Sequence, residues 1–66
     1  MKEIKINGEI KQIDENQTIA QMLGDMGLEV AFVVVEEDGI IIPKANFDER
    51  KISGQSYEIV EFVGGG

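Results

Sequence analysis

Two dipeptides constrain this chain more than any other feature: Asn7-Gly8 and Asp38-Gly39, each set between runs of strand-forming residues. A type I′ hairpin turn needs positive φ at both central positions, and Asn-Gly and Asp-Gly adopt it most readily. The chain is therefore predicted to fold back on itself twice. Lys2 to Ile6 and Glu9 to Ile13 form the first hairpin, with Ile4 and Ile6 on one face. The register of this hairpin stays open. A two-residue turn puts Glu9 beside Ile6, whereas a three-residue loop through Glu9 puts Ile10 opposite Ile6. Ala31 to Val35, a nearly continuous apolar run rich in β-branched residues, reads as a strand buried on both faces or facing a partner. It pairs with Ile40 to Ile42, and Pro43 ends that strand because it has no N–H to give a ladder.

Between the hairpins a single helix is predicted. Thr18 opens it, and Gln21 three residues on completes a capping-box pattern. Ile19, Met22, Leu23 and Met26 fall on one apolar stripe. Gly27 suits the left-handed position that ends a helix, with Leu28 as the apolar contact behind it. Gly24, inside the helix, costs about 1 kcal/mol against alanine. It reads either as a close backbone approach or as mere tolerance.

Lys44 to Gln55 is polar and irregular, with room for one short helical turn near Phe47 to Lys51, and Gly54 turns the chain into a last strand, Tyr57 to Val63. The order β-β-α-β-β-turn-β places one main helix across a mixed sheet of four or five strands. This is an α+β chain with the β-grasp (ubiquitin-like) arrangement, the last strand parallel to the first. The expected domain runs over residues 1–63, with residues 64–66 a flexible glycine tail.

Sixty-six residues make one small domain, whose core supplies about 3–5 kcal/mol. With no cysteine there is no disulfide, thiolate metal site or thiol nucleophile; with no histidine the commonest near-neutral acid–base group is missing. Ser53 and Ser56 have no partner base and sit beside Gly54, where turns favour small polar residues. Glu36-Glu37-Asp38 and Asp48-Glu49 lack the spacing of a calcium loop, and the first reads as a solvated hairpin tip. A net charge of −7 argues against nucleic acid and leaves solubility or steering toward basic surfaces. No signal-like opening and no apolar run approaching about 18 residues is present, so a cytoplasmic protein without a membrane role is expected.

What remains for chemistry is the ending, Gly64-Gly65-Gly66. These glycines are either a frayed end or a working tail. They are no phosphate cradle, since no helix, lysine or serine follows them. The Gly66 carboxylate could be joined to AMP and then attacked by a sulfur or nitrogen nucleophile. Glycine has no Cβ to obstruct that attack and threads a narrow tunnel; Val63 to Gly66 reaches about 13–14 Å when extended. In the last strand Tyr57 and Ile59 share the helix-facing side, and Val60 and Phe62 take the other, where no second helix covers them. Val60, Phe62 and Val63 are thus candidates for partner docking, unless the Lys44–Gln55 segment covers the first two.

Several stretches together resemble the ThiS sulfur-carrier family of thiamine biosynthesis. They are Asn7-Gly8-Glu9 after the first strand, the helix Thr18-Ile19-Ala20-Gln21-Met22-Leu23, the Ile42-Pro43 step, and Tyr57 through Gly66 ending Val-Gly-Gly-Gly. Members commonly carry Gly-Asp before the last strand, where this chain has Gly54-Gln55. The resemblance implies a cosubstrate, not an enzyme. A ThiF-type adenylyltransferase would activate Gly66 with ATP and magnesium, and a cysteine desulfurase or other donor would supply sulfur. Thiazole synthase (ThiG) would then accept the resulting thiocarboxylate, with Gly64 and Gly65 held in the partner. The chain itself would bind no cofactor or metal. The alternatives are a sulfur carrier for molybdopterin synthesis, a ubiquitin-like conjugating modifier, and a passive β-grasp binding module.

Overall fold

The computed structural model describes residues 1–62. Both dipeptide turns form as two-residue hairpins. Asn7 and Gly8 take φ of 52° and 84°, and Asp38 and Gly39 take 50° and 86°. The first joins β1 (Lys2–Ile6) to β2 (Glu9–Ile13), with Ile6 opposite Glu9 and Lys5 opposite Ile10. That settles the register for the two-residue turn. It also turns Ile10 outward, 61% exposed, so Ile13 alone of β2 packs against the core. The second turn joins β3 (Val33–Glu37) to β4 (Ile40–Ile42). β5 (Ser56–Glu61) lies between them, parallel to β1 and antiparallel to β3, giving the sheet order β2-β1-β5-β3-β4. The chain is the expected β-grasp with five strands.

Helix α1 (Ile19–Asp25) crosses one face of the sheet. Its first N–H groups are all satisfied. Ile19 donates to the Arg50 carbonyl at 2.9 Å and Ala20 to the Phe47 carbonyl at 3.0 Å. Gln21 donates to Thr18 Oγ1 at 3.2 Å, and the Thr18 N–H donates in return to Gln21 Oε1 at 2.9 Å. The helix stops in a Schellman arrangement: Gly27, φ 76°, donates to the Gly24 carbonyl, and Leu28 donates to that of Leu23. Two expectations fail here. Met26 caps the helix and is 42% exposed, because the helix ends one residue before the stripe would bury it. Gly24 has open space within 4 Å of where a Cβ would sit, so no close approach requires it.

The core joins Ile4 and Ile6 of β1 and Ile19, Met22 and Leu23 of α1 to Val33, Val35, Ile42, Tyr57 and Ile59 of the sheet. Phe47 and Ile52 complete it, from a segment whose composition reads as polar. Their backbone neighbours clip the start of α1, so the segment is a strap across the helix side. Its short helical turn is a 3-10 turn at Lys44–Asn46, earlier than expected. β3 also starts later than its apolar run. Val30–Phe32 forms a 3-10 turn, and the strand then alternates, with Val33 and Val35 buried and Val34 only half-buried. The last strand begins at Ser56 and ends at Glu61. Among the described residues no helix is long and apolar enough to cross a membrane.

Candidate functional site

The glycines Gly64, Gly65 and Gly66, together with Val63 and the boundary between domain and tail, lie outside the described residues. What is described is the strand that leads to them and the surface around it. Val60 and Phe62 are each 52% exposed on the face away from α1. Val60 lies opposite Val34 of β3, and the Phe62 N–H donates to the Phe32 carbonyl at 2.7 Å. Phe32 is 46% exposed, and Ile41 of β4, on the same face through its pairing with Glu36, is 64% exposed. The strap packs on the opposite side, where its Phe47 and Ile52 enter the core, and leaves this surface open. Val34 was hidden within a run that reads as buried on both faces. Val33, Val34 and Val35 are identical in type, so no local sequence signal marks Val34 as the outward one; the strand register does.

This outer face carries charge as well. Glu36 and Glu58 are directly opposite one another in the β3–β5 ladder. Like charges placed so are destabilising, and no salt bridge to either is found among the described residues. The face is therefore apolar toward the carboxyl end of β5, with the two glutamates farther back and Lys5 of β1 beyond them, opposite Ser56.

A second cluster sits at the other end of β5, and its use is structural. Glu37, expected in a solvated tip, is buried at 6% exposure. Its Oε2 accepts from the Tyr57 hydroxyl at 2.6 Å, and its Oε1 accepts from Arg50, with Nε at 3.2 Å. The Gly54 N–H donates to the Tyr57 hydroxyl oxygen at 3.0 Å. Burial pushes the Glu37 carboxyl up, but hydrogen bonds from Arg50 and Tyr57 outweigh it and hold the group below its ordinary value. Burial, and then the Glu37 hydrogen bond, push the Tyr57 phenol well above its ordinary range. A Cβ on Gly54 would come within 2.4 Å of Glu37 Cγ, so Gly54 is there for space. Asp38 accepts from the N–H groups of Gln55 and Ser56, at 3.2 and 2.9 Å. The side chain of Gln55 takes no part in these bonds. Among the described residues no group of three or more acidic side chains could hold a metal.

The open apolar face thus lies on the strand that precedes the glycine run in the sequence. A model of the ThiS family matches residues 4–66, reaching through the glycines. The chain belongs to the ThiS family. The solved structure of a thiamine biosynthesis protein, ThiS, from Geobacter metallireducens shares its fold, with a TM-score of 0.76 at 22% identity over 98% of this chain and 100% of that one. A thiazole synthase from Paramagnetospirillum magneticum is 36% identical over 62 residues, or 92% of this ThiS-family chain. The chain spans 19% of the length of that relative.

Proposed function

We propose that this protein carries sulfur for the thiazole ring of thiamine, with the Gly66 carboxylate as the site of loading. The observation that carries the reading is the family match through residue 66 on a five-stranded β-grasp. The similarity to part of a protein named thiazole synthase supports that enzyme class (ThiG) as the acceptor. In the proposed cycle a ThiF-type adenylyltransferase joins Gly66 to AMP, using ATP and magnesium and releasing pyrophosphate. A persulfide sulfur from a cysteine desulfurase attacks the acyl carbon and AMP leaves. A thiol reductant then attacks the desulfurase sulfur of the acyl disulfide, leaving with it as a mixed disulfide and freeing the thiocarboxylate. Gly64 and Gly65 lie in the partner's channel, while Val60, Phe62 and Val63 dock on its surface. The chain is a cosubstrate in every step.

Intact mass after incubation with ATP, the adenylyltransferase and a sulfur donor tests the loading. One terminal oxygen is expected to be replaced by sulfur. A variant lacking Gly65 and Gly66 is expected to fold as the wild type and to take up none; sulfur transfer by that variant would sink the reading.

A further inference from the structure

β1 pairs with β5 for a short distance only, through Lys5 with Ser56 and Ile6 with Tyr57. The Lys5 N–H donates to the Gln55 carbonyl at 2.9 Å and the Asn7 N–H to the Tyr57 carbonyl at 2.8 Å. There the chain turns away at Gly8, and the next rung of β5, at Ile59, is paired with Val35 of β3 on one side and has no strand partner on the β1 side. The Asn7 side chain fills that rung. Its Nδ2 donates to the Ile59 carbonyl at 3.2 Å, and its Oδ1 accepts from the Ile59 N–H at 2.7 Å. A single amide thus supplies the donor and the acceptor that a continued strand would have given. Few side chains can do this from such a backbone. The position needs φ of 52°, which asparagine tolerates, and the rung needs one donor and one acceptor together. Aspartate lacks the donor and glycine lacks both.

We propose that Asn7 is a positioning residue for the terminal strand: its amide stands in for the missing length of β1 and holds β5 in one direction as it approaches Val63–Gly66. What the strand delivers rests on the sulfur-carrier reading; that Asn7 holds it does not. A strand end already held in its bound direction loses less freedom when a partner docks. The effect therefore belongs to binding, not to the chemical step.

Asn7→Gly keeps the turn, since glycine accepts positive φ, and deletes both bonds. Asn7→Asp keeps the acceptor and deletes the donor. Amide hydrogen exchange is read as the rate at Ile59 relative to Val33 and Val35 in β3, which cancels any global loss of stability. Asn7→Gly is expected to raise that ratio about tenfold, and Asn7→Asp to leave it close to the wild type. In steady-state activation by the adenylyltransferase with ATP, Asn7→Gly is expected to raise KM for this protein several-fold with kcat unchanged, and Asn7→Asp to recover part of the loss. An unchanged exchange ratio in Asn7→Gly, or equal KM values for it and the wild type, overturns the proposal. Should the wild type itself accept no AMP, the carrier reading fails, and the exchange ratio alone upholds or overturns the hold of Asn7 on β5.

Discussion

Gly24 and Gly54 are both glycines, and the structure gives them opposite standing. Gly24 faces open space within a helix interior, so Gly24→Ala is expected to stabilise the fold by about 0.5–1 kcal/mol, read as a higher midpoint in urea with unchanged slope. Gly54 is pressed against Glu37 and leaves no room for the same change. Glu37 in turn sets a pH dependence. Its carboxyl titrates lower in the folded than in the unfolded state, so the unfolded chain binds more protons in the interval between the two values and stability rises with pH there. The contribution is full above the ordinary glutamate value of about 4.3 and is lost as pH falls through the depressed folded value. Glu37→Gln is expected to flatten that part of the curve of melting temperature against pH. A slope equal to that of the wild type would place the acid response elsewhere.

At the scale of elements, much of the fold was legible because its signals are local. Asn7-Gly8 and Asp38-Gly39 fix the hairpins through φ alone, and Thr18 with Gln21 fixes the start of α1 through bonds within four residues. The strap was not legible. Phe47 and Ile52 stand alone among polar residues with no period, and only contact with α1 makes them core. Glu37 was misread for the same reason, since its partners Arg50 and Tyr57 lie 13 and 20 residues away. The exposure of Val60 and Phe62 was readable from alternation, but the apposed glutamates Glu36 and Glu58 needed the register of β3 on β5. That apposition has a cost that can be removed. Glu58→Lys is expected to stabilise the domain by about 0.5 kcal/mol in chemical denaturation. The same variant is expected to slow association with the adenylyltransferase, whose docking surface should then be basic. Faster association would argue against an acidic recognition face.

The molecule as a whole carries a charge of −7, and its outer sheet face joins apolar to acidic surface. Such a combination steers a basic partner by long-range attraction and holds it by short-range burial. The two contributions separate on titration. Added salt is expected to lower the association rate, while Phe62→Ala is expected to weaken affinity by about 2 kcal/mol at every salt concentration. Stopped-flow mixing with the adenylyltransferase reads the rate and calorimetry the affinity, with circular dichroism of the free variant to establish that it is folded.

Among the described residues β5 is the last strand in chain order and the one in the middle of the sheet. A nascent chain stopped at Gln55 holds two hairpins, β1 with β2 and β3 with β4, and no ladder between them. Every rung that joins the two halves waits for residues 56–61 to leave the ribosome. Folding is therefore governed by contacts between distant parts of the chain, and truncated products cannot imitate the finished domain. The outer sheet face is therefore assembled only when β5 has been made.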